Sequence, residues 1–571
     1  MKCLTVLSIL ITCITATIGY GQQVPVAHGG QPHIREDALD PTPVNPAADP
    51  NIGMFINSYK NAKPRTMFGD LVYRDMLTKL QGPNPTHPTV KGAVLTSITA
   101  ISRATLAPGA TASGRVHSGD LQIFYTVAGE GKITVHSKTY DLKEGVGFTL
   151  TPNFDFKLTN TGSQPLAFYV RAQQIPAGFV ISPDLVVVNR FDHDRGIGAH
   201  WVHTCNAGPK GMLLCTVPPF TMPQPHSHAG PEQWIMVKGD SILSLGKNLR
   251  LMVPGQAYKI PPTGITAHSN INLSDRPVEL IYMGPLVRGP MKPSDFRDYM
   301  RLDNNRYNPA VDPDPVMFVG DWHNSFPRVM FGSLYVRDIL TSLQGPDSLH
   351  PTRAGAVLTH ATAVSYAMLE PGSTAHPVSS DLNGIQQCFI VDSGTGIIKS
   401  GSRTFELSKG KAFIITPGLD FRMTATGTHY LTFYVISEKL PEGFTPQTTL
   451  DVVDNTAKAQ TTRAWYEKDR ALITKADGLS QYQAVNQVDQ PAMTMTQPYS
   501  DSKGVEEIWI ATKGDVDVLM GKQLVKLHAG MAYRAPSNGI TAHANIDATG
   551  KPAEFLYLVT GKTLSPVAGK P

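Results

Sequence analysis

Short stretches of alternating apolar and polar residues recur along the chain. Leu121-Gln122-Ile123-Phe124-Tyr125-Thr126-Val127 and Gln233-Trp234-Ile235-Met236-Val237 are two of them. Glycine-containing turns bound such runs, at Gly129-Glu130-Gly131, Lys238-Gly239-Asp240 and Lys513-Gly514-Asp515. Many short strands with regular turn signals predict an all-β, antiparallel sandwich or barrel. Helical spacing is sparse. It fits best over Leu71–Leu80 and Leu334–Leu343, which are predicted as helices in the arms before the first module of each half.

The pattern is written twice. Met67-Phe68-Gly69, Arg74-Asp75, Leu80-Gln81-Gly82-Pro83 and His87-Pro88-Thr89 return 263 residues later as Met330-Phe331-Gly332, Arg337-Asp338, Leu343-Gln344-Gly345-Pro346 and His350-Pro351-Thr352. The offset grows to 275 at Gly239 and Gly514, and at His268 and His543. Each repeat holds two runs of strands, which divides the chain into modules at 66–185, 186–290, 328–448 and 449–571. Residues 23–65 and 291–327 are arms. Because His87 and His350 occur in both repeats, a structural role is expected for them. Arg74-Asp75 and Arg337-Asp338 are expected to be ion-paired caps for the same reason.

Composition narrows the class. The 571 residues are 41% hydrophobic and 17% charged, with 50 Gly and 45 Pro, as suits a folded, turn-rich protein. A net charge of +4 with no polybasic stripe argues against a nucleic-acid partner. Residues 1–22 begin Met1-Lys2-Cys3 and run apolar from Leu4 to about Tyr20, which reads as a secretory signal peptide. A secreted or periplasmic location follows. An uncleaved anchor is the alternative, and a lipoprotein through Cys13 fits less well. No later segment has ~18 uninterrupted apolar residues, so stable membrane insertion of the mature chain is not expected. Cys205, Cys215 and Cys388 would remain after cleavage. A Cys205–Cys215 bridge and two buried thiols are both open.

Candidate chemistry concentrates in Pro225-His226-Ser227-His228-Ala229-Gly230-Pro231-Glu232. Residues two apart on a strand face the same side, so His226 and His228 can both point inward. Glu232 brings a carboxylate to that space if the chain returns there as a strand, and Trp234 and Met236 share its parity. His268 supplies a third imidazole from a distant segment. Such a set suits one divalent transition metal, among Mn, Fe, Ni, Cu and Zn, with positions left open for substrate. Met222 and Gln224 share the parity of His226, and Tyr258 lies on the strand leading toward His268. With Trp234 and Met236 they are candidate pocket residues. His203 is a further one, weighed against a surface or hydrogen-bonded role.

This constellation resembles the cupin family. Its first motif is matched by His226, His228, Glu232 and Gly239, seven residues beyond the glutamate. Its second is matched by Gly255, Pro262-Thr263-Gly264, His268 and Asn272, with Gly264 to His268 one residue longer than the family pattern. The resemblance implies four cupin barrels arranged as two tandem bicupin repeats over nearly all of the mature chain. The other three modules depart from the motif. Gln122 and Gln387 stand where the glutamate belongs, and Lys157 or Arg422 is expected to repel a metal there. The last module keeps Glu507 and His543, while Tyr499 and Asp501 replace the histidine pair. It reads as a degenerate second site. The resemblance further implies a metalloenzyme acting on a small oxygenated molecule, dioxygenase-like first, with decarboxylase and sugar isomerase behind. A non-catalytic carbohydrate-binding or storage protein is the rival reading. The expected partner is a small-molecule substrate or ligand, and the chain is expected as a monomer or homo-oligomer.

Overall fold

The computed structural model describes residues 44–45, 49–190, 194–197, 204–206, 211–223, 225–228, 231–263, 266–286, 296–298, 312–378, 382–454, 457–539 and 541–561. For His228 and for the strands 194–197, 204–206 and 296–298 it describes the backbone alone. The fold is all-β, with only short 3-10 turns among the described residues. Among the described residues eight sheets form, and the four of the second repeat follow the strand order of the first, less a counterpart of the edge strand Phe296–Asp298.

In the first half an eight-stranded sheet faces a four-stranded one across a core that includes Phe124, Phe148, Phe168, Ile133 and Leu158. Phe124 and Phe148 stack at 4.8 Å, and Phe168 meets Phe124 edge-on at 5.5 Å. Phe389, Phe413 and Phe433 repeat the arrangement, with a stacked pair at 5.1 Å. A seven-stranded and a five-stranded sheet form the next unit, around Trp234, Met236, Leu243 and Tyr258.

The two predicted helices are strands, Leu71–Lys79 and Leu334–Ser342. The cause is a register shift in each, between Asp75 and Leu77 and between Asp338 and Leu340. A bulge breaks the period of two, so buried Tyr73, Met76 and Leu77 acquire a spacing that imitates a helix. The expected Arg74-Asp75 pairing is also corrected. Asp75 takes Arg65 at 2.8 Å, while Arg74 donates to the Ala62 carbonyl. Asp338 takes Arg328 at 3.0 Å, and Arg337 donates to the Ser325 carbonyl. His87 and His350 hold turns through Asn84 and Asp347, at 3.1 and 3.0 Å.

Neighbouring units exchange strands. Ile56–Ser58, ahead of the first unit, pairs with Gln256–Lys259 of the second. Val186–Asn189 pairs back onto Val146–Leu150 of the first. The second repeat does the same with Val319–Asp321 and Val452–Asp454. Between the first two units lies an apolar seam containing Phe55, Leu77, Ile101, Tyr125, Ile235 and Ile281. A second seam joins the repeats, where Met222, Ile242 and Leu249 meet Leu519, Leu524 and Ile546. There the Leu249 amide donates to the Met493 carbonyl at 3.3 Å and the Leu524 amide to the Phe220 carbonyl at 3.0 Å. Residues 249 and 524 are 275 apart, so the contact is reciprocal.

The 3-10 turn Ile52–Phe55, just ahead of the exchanged strand, sets Phe55 as a wedge between units, with no exposure at all. Phe55→Ala is expected to destabilise the protein by about 3–5 kcal/mol. A fall in the urea midpoint checks this, and a change smaller than that of a surface alanine control would contradict it.

Lys259 lies in the same seam, 1% exposed, its Nζ 5.9 Å from the centre of the Phe55 ring. Its counterpart Arg534 lies 3.6 Å from Glu506, but Pro231 stands where Glu506 would be. Burial pushes the Lys259 amine down to about 8. The unfolded chain therefore binds more protons between pH ~8 and ~10.5, and the charge costs stability in full below that window. Lys259→Met is expected to raise stability at pH 7 by about 3 kcal/mol, a gain that fades toward pH ~10.5. Melting curves at the two pH values test it, and an equal shift at both would refute the assignment to the charge.

Candidate metal centre

The strand His226–His228 lies between His268–Ile271 and Phe296–Asp298 in the five-stranded sheet. Its register sets His226 directly opposite His268. Glu232 immediately precedes the facing strand Gln233–Lys238. Gly239, which ends that strand's turn, takes φ 74, a left-handed value that favours glycine. The sandwich thus brings three segments to one interior point. His226, Glu232 and His268 are 6%, 7% and 1% exposed, and their ligand atoms lie within 4.8 Å of one another. The His226 and His268 rings sit 4.2 Å apart, and His268 Nε2 is 3.0 Å from Glu232 Oε1.

The pocket residues fall in different places. Trp234 Nε1 donates to Glu232 Oε1 at 2.5 Å and so fixes the carboxylate. Met236 is fully buried in the same interior. Tyr258 is also fully buried, and its hydroxyl donates to Asn270 Oδ1 at 2.9 Å. Burial pushes the Tyr258 phenol well up, so it stays neutral. Met222 packs into the seam between repeats. Gln224, His203 and the His228 side chain lie outside the described residues. The backbone sets Cys205 opposite Cys215, but the Cys205 side chain lies outside them too.

Asn270 and Tyr282 were not singled out in the sequence. Tyr282 meets Trp234 edge-on at 5.1 Å. A signal for both was present, because Asn545 and Tyr557 recur at the offset of 275 that also relates Trp234 to Trp509 and Tyr258 to Tyr533.

The second repeat assembles a parallel cluster of Asp501, Glu507 and His543. His543 Nε2 lies 2.8 Å from Glu507 Oε1, and Trp509 donates to that oxygen at 2.6 Å. Tyr499 donates to it as well, at 2.5 Å. The rings of Tyr499 and His543 are 4.3 Å apart at 61°, against 4.2 Å at 59° for His226 and His268. Tyr499 therefore takes the place of His226, and Asp501 that of His228. Burial raises the Asp501 carboxyl, and the Glu507 charge raises it further. For Glu507 burial is the largest influence and acts in the same direction, but the His543 charge and the hydrogen bonds from His543, Tyr499 and Trp509 together outweigh it and hold the group below its usual range.

The first units offer no such cluster among the described residues. Gln122 Oε1 accepts from Tyr73 at 2.8 Å, and Gln387 Nε2 donates to Ser437 at 3.0 Å. The expectation for Lys157 and Arg422 is corrected. Both are exposed, and their neighbours Phe156 and Phe421 turn inward. Phenylalanine packing, not charge, fills these interiors.

Among the described residues no helix is long and apolar enough to cross a membrane. Residues 102–170 match the family described as Cupin domain. No curated protein matches the chain significantly. Among solved structures, protein Ylba from E. coli is similar at 14% identity over 45% of this chain and 100% of that one, with a TM-score of 0.33. The formate complex of Lactobacillus farciminis oxalate decarboxylase is similar at 11% identity over 43% and 87%, with a TM-score of 0.34. AerE from Microcystis aeruginosa is similar at 16% identity over 40% and 98%, with a TM-score of 0.31. Residues 102–170 thus carry a cupin domain, and the second half repeats the strand order of the first, antiparallel except where Ala93–Leu95 and Ala356–Leu358 pair in parallel.

Proposed function

We propose that this chain is an exported cupin metalloenzyme that holds a divalent transition metal through His226, His228, Glu232 and His268 and acts on a small oxygenated molecule. One observation carries the reading. His226, Glu232 and His268 converge in a buried interior from three separate segments, with His228 two residues along the strand from His226. The donor set fits a borderline divalent ion. When bound, the ion supplies Lewis acidity toward an enol, carboxylate or hydroxyl, and with a redox-active metal it supplies oxygen activation.

The residues around it have distinct tasks. Trp234 orients the Glu232 carboxylate, as an outer hydrogen bond to a ligand does. Tyr258 and Asn270 pin two strands against each other behind the site. Met236, Leu243 and Tyr258 keep water from the apolar side. Dioxygenase-like chemistry leads the proposal, with decarboxylation and sugar isomerisation behind it. Export rests on residues 1–22, which lie outside the described residues. The phenylalanine-packed first units would also suit a storage or binding protein, but such a protein has no need of a buried ligand cluster.

His226→Ala/His228→Ala is expected to lose one bound metal ion per chain relative to wild type, measured by atomic emission on purified protein. Equal content in both would remove the site assignment. Loss of turnover in the double variant, across phenolic, keto-acid and sugar substrates, is the expected sign of catalysis. Absence of turnover in wild type on every one of them would leave a binding role.

A further inference from the structure

We infer that the second repeat holds a second metal centre of different character, built from Asp501, Glu507 and His543 with the Tyr499 phenol as fourth donor. It would take a harder cation, of the Mn(II) or Fe(III) class, than the imidazole-rich centre of the first repeat. The inference stands on its own cluster and does not need the first site to bind metal.

The scaffold is common to both repeats. Glutamate, tryptophan and histidine recur with nearly the same separations: 2.5 and 3.0 Å around Glu232, 2.6 and 2.8 Å around Glu507. The tyrosine–asparagine bond behind the site recurs at 2.9 and 3.0 Å. What changes is the pair of donors on the strand opposite. Two imidazole positions become a phenol and a carboxylate. Oxygen donors then outnumber nitrogen three to one, which shifts preference toward harder ions.

Two observations point to a cation here. Asp501 is 7% exposed, lies with its ligand atom within 4.8 Å of those of Glu507 and His543, and its Oδ2 has no hydrogen-bond partner. Buried polar atoms are rarely left so, and a bound ion is one of the standard reasons. The second is the charge balance. The nearby cations have their own counterions: Arg463 lies 2.8 Å from Glu467, and Arg534 lies 3.6 Å from Glu506. His543 alone faces the two carboxylates Asp501 and Glu507 from within the cluster. Glu507 is met by three donors, so the group left to compensate is Asp501, and a divalent ion would supply the partner that its Oδ2 lacks.

The test uses the full chain, stripped by chelation and titrated with Mn(II), with bound ions counted by equilibrium dialysis. Wild type is expected to take two ions per chain. Asp501→Asn/Glu507→Gln should take one fewer, and His226→Ala/His228→Ala should keep the ion of the second repeat. If the first site alone fails, the histidine variant matches wild type while the carboxylate variant still loses an ion. The inference is overturned if the carboxylate variant binds as many ions as wild type. A milder variant guards against misfolding. Loaded with Fe(III), the wild type should show a visible phenolate-to-iron charge-transfer band that Tyr499→Phe abolishes. A band unchanged in Tyr499→Phe, or absent from wild type, removes Tyr499 as a donor.

Discussion

A carboxylate buried in an apolar sandwich is the constraint on which the second unit of each repeat depends. Glu232 is 7% exposed and Glu507 1%. Moving such a charge out of water costs several kcal/mol unless partners compensate. The fold answers with an indole N–H two residues along the same strand and an imidazole from the strand across the interior. Alternation explains the first, since Trp234 and Trp509 must face the side their glutamates face. Register explains the second, since His268 and His543 begin strands that run against the segments carrying His226 and Tyr499.

That local requirement is held in place by contacts far from it. Gln256–Lys259, which presents Tyr258 to the site, is flanked on one side by a strand from the N-terminal arm. Asp49 of that arm meets Lys247 at 3.2 Å, and Asp312 meets Lys522 at 3.0 Å in the second repeat. The lysine side chains are 7% and 2% exposed, so each arm is tied to the second unit by a charge pair that salt screens less than a fully exposed one. The units within a repeat therefore share strands, an apolar seam and an ion pair. Between repeats the apolar seam sits on the sheets that carry His268 and His543.

Much of this was legible in the sequence, and the failures have physical causes. The repeat, the β class and the side chains that gather in both clusters follow from spacing, because motif, parity and turn glycines are local properties. The helix expectation at Leu71–Leu80 failed because a bulge disturbs the period on which such a reading rests. The charge reading at Lys157 failed because the motif position alone did not fix the parity, and the strand turns Phe156 inward instead. Strand exchange and the setting of Lys259, buried with no carboxylate paired to it among the described residues, were invisible, since each depends on which distant segment becomes a neighbour. Asn270 and Tyr282 could have been found by asking which polar and aromatic residues recur at the offset of the metal motif.

The glutamine–glutamate difference between units now has a physical reading. Gln122 and Gln387 are neutral, so one hydroxyl beside each, Tyr73 donating to Gln122 and Ser437 accepting from Gln387, is enough for phenylalanines to fill the rest of the interior. A glutamate at those positions would add a buried charge beside a single hydroxyl, Tyr73 or Ser437, where Glu232 and Glu507 each meet an indole and an imidazole. Losing the histidines while keeping the acid would strand a charge, so the two are expected to vanish together, as they have in both first units. The second repeat's last unit shows the converse. It kept Glu507, and with it a histidine, a tryptophan and a tyrosine that converge on one carboxylate oxygen. The retained acid, more than the retained fold, is what keeps that interior polar.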